Sequence, residues 1–312
     1  MPDKVLLRDC INELSLSLVY GEEFLDVEIK RDVLSRPGVE IYSGYFELYE
    51  SLRIQVIGTK EINLFYMLDE NLRKERVDKL FSYNPPAFVF TKNVSEVPSE
   101  FLEAAKKYGV AILRSDKKTN ATISSIGFYL SEEMAASKSF HGVMMDINGV
   151  GVMITGKSAM GKSETALQLL MKGYTLVSDD RVDLSEPSSG LIMARCPELI
   201  ERLLEVRGIG LIDVVDMFGV AAFRNKKSLN LIVELNDYSK DNSNKNRLST
   251  DEEYETIFNT KVPKVTVYVK PGRNIASLVE VAAMNWKLKT YGFNATEKFI
   301  KRVDSIVNKN KE

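Results

Sequence analysis

Gly156-Lys157-Ser158-Ala159-Met160-Gly161-Lys162-Ser163 has the form GxxxxGK[ST] and lies between an apolar run ending at Ile154-Thr155 and a helical pattern over Glu164 to Met171. A strand, a glycine-rich turn and a helix start in that order form the loop that wraps a nucleotide's phosphates. Glycines let backbone N–H groups converge on phosphate oxygens, and the following helix N-terminus adds partial positive charge. Lys162 is placed to reach the β- and γ-phosphates, and the Ser163 hydroxyl to hold Mg²⁺. Ser158, Ala159 and Met160 complete the turn. The expectation is an ATP-binding α/β protein. The bland alternative is a strand-to-helix turn with a fortuitous Lys-Ser.

Upstream, VMMDI and VGVMIT flank Asn148-Gly149. That dipeptide between two β-rich runs is a strong signal for a two-residue hairpin, because both central residues need φ > 0. The strand feeding the loop is therefore expected to run antiparallel to its predecessor, giving a mixed, partly antiparallel sheet instead of a sheet built from helical crossovers. Downstream, Tyr174 to Val177 reads as a strand ending in Ser178-Asp179-Asp180, LIVEL (231–235) and VTVYV (265–269) as later strands, and the segment from Ile275 as two helices parted near Gly292. Asn236 to Glu253 is polar and reads as a long mobile loop.

The N-terminal part alternates strand and helix patterns. VEIYSGYFELY (39–49), RIQVIG (53–58) and PPAFVFTK (85–92) are β-rich, and EFLEAAKKYG (100–109) has helical spacing with a glycine stop. Ile123, Ile126, Leu130 and Met134 form one stripe of a helix over Thr119 to Met134, and small residues follow it. These features predict an N-terminal α/β domain with a linker helix over 1–134 and a catalytic domain over 135–312. No chemical motif stands out in the first domain.

The chain has 312 residues, 44% of them hydrophobic and 28% charged, which is ordinary for a water-soluble protein of two domains. A formal net charge of −2 offers no electrostatic case for nucleic acid. Cys10 and Cys196 are the only cysteines, no apolar run is long enough for a membrane span, and no leader peptide is recognisable. The expected location is the cytoplasm.

Several residues are candidates for chemistry. His141 is the only histidine and precedes the hairpin that leads to the loop; lone histidines are often structural, but imidazole near phosphate donates hydrogen bonds or positive charge. Asp179 and Asp180 stand where phosphoryl transfer needs a carboxylate to take the proton of a hydroxyl nucleophile, and a second group to assist the metal. Spacing does not say which does which, and an exposed turn is the plain alternative. In Leu204 to Asp213, Glu205 is a candidate Mg²⁺ ligand, and Arg207, followed by Gly208, a candidate anion grip; the plain reading is a helix end running through glycines into a buried strand. Lys270-Pro271-Gly272-Arg273 is either a solvated turn or a second phosphate site before a helix. Arg247 reads by itself as a surface charge.

Together, SKSFHGVMMDINGVGVMITGKSAMGKSETALQLLMKGYTLVSDD (137–180), LLEVRGIGLIDV (203–214) and VKPGRNIASLVEVAAMNWKLK (269–289) resemble the bacterial HPr kinase/phosphorylase family, and RPGVEIYSGYFELY with RIQVIG resembles its N-terminal region. The resemblance implies a bifunctional enzyme of carbon-source regulation. With ATP it phosphorylates a serine of HPr, the phosphocarrier of the sugar phosphotransferase system; inorganic phosphate attacks the phosphoserine in the reverse direction, releasing pyrophosphate. It implies a homohexamer and a catalytic domain similar to phosphoenolpyruvate carboxykinase. Carried over by motif, His141, Lys162, Asp180 and Arg247 are catalytic, with Asp180 the general acid/base, Ser163 and Glu205 hold Mg²⁺, and the turn Lys270 to Arg273 serves dephosphorylation. Two positions depart from the family's loop, which usually has a small or acidic second residue and a glycine where this chain has Lys157 and Ala159. A small-molecule or carboxykinase-like kinase explains the loop and carboxylates but not LEVRGIG and KPGRN. A nucleotide-sensing regulator would not need Asp180. A guanine-nucleotide switch lacks its NKxD sequence, Asn225-Lys226-Lys227-Ser228 ending in the wrong residue.

Overall fold

The computed structural model describes residues 4–238, 252–270 and 272–309. They divide into two compact units, residues 1–136 and 137–312.

In the first unit, helix α1 (Leu7–Leu14) precedes strand β1 (Ser17–Tyr20), and α2 (Gly38–Ser43) precedes β2 (Gln55–Ile57); α3 (Thr59–Tyr66), α4 (Glu70–Ser82), β3 (Ala87–Phe90), α5 (Ser99–Tyr108), β4 (Ala111–Arg114) and α6 (Thr119–Met134) follow. The sheet order is β1-β4-β3-β2, with β2, β3 and β4 parallel and β1 antiparallel at the edge. Every residue of β2 and β3 is buried, as expected of parallel strands covered on both faces. Period-two alternation sends Phe88, Phe90 and Ile112 into an aromatic core with Phe65, Phe81 and Phe101, and Val56, Val89 and Leu113 into a second core with Leu7, Ile126 and Leu130. The expected helix over Thr119 to Met134 forms as α6, and all four stripe residues pack in that second core.

The β-rich reading of Val39 to Tyr49 is overturned. Gly38–Ser43 is helical, ended by Gly44 at φ 73°, and turns rather than a strand follow. Pro37 precedes the helix start; of the helix only Ile41 is buried while Val39 and Tyr42 face outward, and Phe46 and Tyr49 pack against the aromatic core from the turns that follow.

The second unit runs β5 (Ser137–His141), β6 (Val143–Ile147), β7 (Val150–Gly156), α7 (Lys162–Met171), β8 (Thr175–Ser178), β9 (Arg181–Ser188), β10 (Leu191–Arg195), β11 (Leu203–Val206), β12 (Gly210–Asp213), α8 (Val214–Phe218), β13 (Lys226–Ser228), β14 (Leu231–Asp237), β15 (Glu253–Ile257), β16 (Thr260–Val269), α9 (Ile275–Thr290) and α10 (Ala295–Lys309). A six-stranded sheet has the order β15-β16-β14-β7-β6-β8. β7, β14 and β16 are parallel, whereas β6 runs antiparallel to both β7 and β8. The Asn148-Gly149 hairpin forms as expected, with φ of 53° and 86° at its two central residues.

β6 is buried on both faces. Val143, Met145 and Ile147 join the core with Leu169 and Leu170 of α7 and Val279 of α9, while Met144 joins Leu184, Ile192 and Ala194 under a second, antiparallel sheet of order β13-β10-β9-β5. Strands β9, β10 and β13 are not among the elements expected from the sequence. LEVRGIG is also not a helix end: Leu203–Val206 and Gly210–Asp213 form a two-stranded hairpin. The expected loop from Asn236 to Glu253 falls largely on residues 239–251, outside the described residues.

Candidate functional site

β7 delivers the chain to Gly156, paired with Leu235 of β14. Gly156 has φ 138°, and a Cβ there would lie 2.6 Å from the Leu235 carbonyl oxygen. Only glycine passes this point without strain. The loop then turns through left-handed residues Ala159 (φ 65°) and Gly161 (φ 84°), the latter capping α7. Ala159, which replaces the glycine of the family's pattern, thus occupies a conformation that favours glycine.

Lys162 is 8% exposed, and its Nζ donates to the carbonyls of Gly156 (3.1 Å) and Lys157 (3.3 Å). The loop thereby closes around its own lysine. Lys157 itself is exposed.

The two aspartates that spacing left undivided are separated by burial. Asp179 is 5% exposed, whereas the Asp180 side chain is 77% exposed. Asp179 follows β8 and faces the loop: it accepts from Ser163 Oγ at 3.0 Å and 3.3 Å on its two oxygens, and from the Glu205 backbone N–H at 3.2 Å. Burial pushes its carboxyl above the ordinary range and the charge of Asp180 adds to that, while the N–H donors and Ser163 pull it back. Asp180 sits at φ 65° in the turn from β8 to β9. Pairing of β5 with β9 sets His141 opposite Arg181, and His141 Nδ1 then lies 3.1 Å from Asp180 Oδ1. The adjacent Gly142 N–H donates to the Asp180 carbonyl at 3.0 Å, and a Cβ on Gly142 would lie 2.8 Å from the Ile154 carbonyl oxygen.

Beside this pair, a cleft of about 390 Å³ is lined by His141, Thr155, Gly156, Lys157, Glu234 and Glu255, among others. The structure therefore gathers the loop, His141, Asp179, Asp180 and the backbone of Glu205 in one region. Arg207 and Gly208 lie at the exposed tip of the β11–β12 hairpin, and Gly208 has φ 86°. Lys270 stacks its Nζ 5.0 Å above the Tyr238 ring, Gly272 has φ 82°, and Arg273 donates to the Tyr268 carbonyl at 3.4 Å. Among the described residues, no hydrogen bond or ion pair joins Arg207, Gly208, Lys270, Gly272 or Arg273 to the loop. Arg247 and Pro271 lie outside the described residues.

The oxygen donors Ser163, Asp179 and Glu205 are hard ligands of the kind Mg²⁺ takes. Among the described residues no group of three or more His, Cys, Asp or Glu is placed to hold a metal. That is compatible with Mg²⁺, which uses one or two protein groups plus phosphate oxygens and water.

Comparison with known proteins decides the family. The family model of the HPr Serine kinase N terminus matches residues 5–130, and that of the HPr Serine kinase C-terminal domain matches residues 132–303. This chain belongs to the HPr serine kinase family. It is 40% identical to the HPr kinase/phosphorylases of Bacillus subtilis and of Bacillus cytotoxicus, in each case over 97% of this chain and 97% of the relative. A solved structure, the Hpr(Ser) kinase/phosphatase of Coxiella burnetii, covers 52% of this chain and 98% of its own at 32% identity, with a TM-score of 0.48. Family membership accounts for both units at once. Among the described residues no helix is long and apolar enough to cross a membrane.

The family resemblance pointed to Asp180 but left Asp179 without a role. The signal for it was present in the sequence as the first acid after an apolar strand, yet only its depth beneath the loop distinguishes it.

Proposed function

We propose that this chain is a bifunctional kinase and phosphorylase of HPr, using ATP to phosphorylate a seryl hydroxyl and inorganic phosphate to remove the phosphoryl group. The observation that carries the reading is the placement of an exposed carboxylate, Asp180, beside His141 at the rim of a loop whose lysine and serine point inward.

In this reading the loop from Gly156 to Ser163 is a phosphate loop, and Lys162 exchanges its two carbonyl partners for the β- and γ-phosphates. Asp180 takes the proton of the seryl hydroxyl as its oxygen attacks the γ-phosphorus. The bond from that phosphorus to the bridging oxygen breaks, and ADP leaves. In the opposite direction a phosphate oxygen attacks the phosphoserine phosphorus, the seryl O–P bond breaks, Asp180 returns a proton to the seryl oxygen, and pyrophosphate forms. His141, 3.1 Å from Asp180, orients the carboxylate and donates to a phosphoryl oxygen. Exposure suits Asp180 to the task, because the nucleophile arrives on another protein. Ser163 and Glu205 would hold Mg²⁺, which when bound neutralises charge on the phosphates.

The proposal extends to an N-terminal domain over 1–134, a catalytic domain over 135–312 of phosphoenolpyruvate-carboxykinase kind, a homohexameric assembly in the cytoplasm, and roles for Arg247, Arg207, Gly208 and the turn Lys270 to Arg273 in handling phosphate. Incubation with HPr and Mg-ATP, then with excess inorganic phosphate, tests it: phosphoserine should appear in the first stage, then disappear with stoichiometric pyrophosphate. Release of free phosphate in place of pyrophosphate would contradict the phosphorylase half, and no phosphoserine the kinase half.

A further inference from the structure

The side chains of the second sheet divide between its two faces. Val182 and Leu184 of β9 and Ile192 and Ala194 of β10 are buried in the core beneath it. Arg181 and Asp183 of β9 and Arg195 of β10 stand on the other face, as period two requires. Register sets His141 opposite Arg181, Asp183 opposite Arg195, and Arg195 opposite Lys226 of β13. Directly opposed residues share a face, so His141 and Lys226 stand there too. His141, Arg181, Arg195 and Lys226 are all exposed. This face therefore sets three permanent cations against one carboxylate, in a chain whose formal net charge is −2. The surplus is local, and it begins at the edge strand β5, where His141 meets Asp180.

Arg181 is the cation beside that pair. Its Nε donates to Asp183 Oδ1 at 3.1 Å and its Nη2 to Oδ2 at 3.4 Å, and Asp183 Oδ1 also accepts from Ser139 Oγ at 2.5 Å. A guanidinium has five N–H groups; two fix its orientation here, while the side chain remains 58% exposed. A donor fork held in advance gives up little rotamer freedom when it meets a carboxylate. We infer that this sheet face is where the protein substrate docks, carboxylates around the target serine of HPr meeting Arg181 first and then Arg195 and Lys226. The inference rests on the reading of the chain as a kinase and phosphorylase of HPr. A hydroxyl carried on a folded protein needs a surface that holds its carrier beside the acid that takes its proton. The phosphate loop follows β7 of the six-stranded sheet, so nucleotide and protein substrate approach Asp180 from different elements.

Phosphorylation by the full-length chain is followed at saturating Mg-ATP with varied HPr, for wild type, Arg181→Ala, Arg181→Lys and the double variant Arg195→Ala/Lys226→Ala. Arg181→Ala should raise KM for HPr about tenfold, with kcat and ATP affinity held within about twofold. Arg181→Lys keeps the charge but not the fork, and should recover part of the loss. The double variant should raise KM by about three- to fivefold at low salt, and the climb of KM with salt should be steeper in wild type than in either alanine variant. Phosphorolysis should show the same factor in KM for phosphorylated HPr. A rise confined to phosphorylated HPr would mean that Arg181 grips the phosphoryl group, a fall in kcat alone that it serves the chemistry, and a matching loss of ATP affinity that the face belongs to the nucleotide; each overturns the inference. Circular dichroism checks folding. Should Arg181→Ala fail to fold, the double variant decides, and wild-type KM with wild-type salt dependence there overturns the inference. A wild type that leaves HPr unmodified overturns the underlying reading and this inference with it, whereas wild-type KM in the variants of an active enzyme overturns the docking face alone.

Discussion

Replacing Gly156 by alanine probes the geometry on which the loop depends. Two costs are separable at this position. The backbone cost comes from φ 138°, where side chains are rarely found, and is about 1–3 kcal/mol. The steric cost comes from a Cβ placed 2.6 Å from the Leu235 carbonyl oxygen and 3.1 Å from Leu235 Cβ; overpacking of this kind adds about 1–3 kcal/mol. Neither neighbour yields readily, because Leu235 is buried in β14 and is the registered partner of Gly156 in a parallel pair. Gly173, at φ 87° and with nothing within 4 Å of the position a Cβ would take, shares the first cost but not the second. With about 2–4 °C of melting temperature per kcal/mol for a unit of this size, Gly173→Ala should lower the transition by about 2–12 °C and Gly156→Ala by roughly a further 2–12 °C. The strain at 156 is relieved only by moving the loop, so Gly156→Ala should also weaken ATP binding while Gly173→Ala leaves it intact. Thermal unfolding by circular dichroism and ATP titration read both effects. Equal melting temperatures for the two variants, with wild-type ATP affinity for Gly156→Ala, would refute the reasoning.

Two further outcomes follow from charge and burial. Lys157 is exposed within the loop, so Lys157→Asp, which exchanges an attractive charge for a repulsive one near the triphosphate, should weaken ATP binding by about fivefold or more at low salt, and less as salt rises; an unchanged or lowered dissociation constant would contradict this. Cys10 is wholly buried, and burial first, then the charge of Asp9, pushes its thiol up to about 12 from an ordinary 9.0. Above pH 9 the unfolded chain therefore releases a proton that the native first unit keeps, and this contribution to stability is present below pH 9 and lost as pH rises toward 12. Denaturant titrations between those limits should show wild type losing about 1.4 kcal/mol per pH unit more than Cys10→Ala.

Much of the second unit was legible because its signals are local. GKSAMGKS fixes the strand-to-helix turn, Asn148-Gly149 fixes the hairpin, and the resulting antiparallel β6–β7 pair excludes an all-parallel sheet. β9 and β10 do alternate, with Val182, Leu184, Ile192 and Ala194 inward on either side of a turn at Gly190, so their hairpin is a local signal; what local patterning does not give is the pairing with the distant strands β5 and β13 that completes the sheet. In the first unit Val39 to Tyr49 misled because strand-forming residue types are divided between a short helix, on which Val39 and Tyr42 are exposed and only Ile41 is buried, and the turns after it, from which Phe46 and Tyr49 reach the core. The site was legible as a set of residue types, not as an arrangement. Asp179 and Asp180 are neighbours in sequence, and only the left-handed turn at Asp180 sends one beneath the loop and the other out beside His141.

The most direct test of the proposed chemistry is Asp180→Asn assayed in both directions with HPr. An amide at this position keeps the exposed shape but cannot take up or return the seryl proton. Phosphoserine formation with Mg-ATP and pyrophosphate formation from phosphorylated HPr should both be abolished while ATP still binds with wild-type affinity. Phosphoserine formation near the wild-type rate would contradict the account.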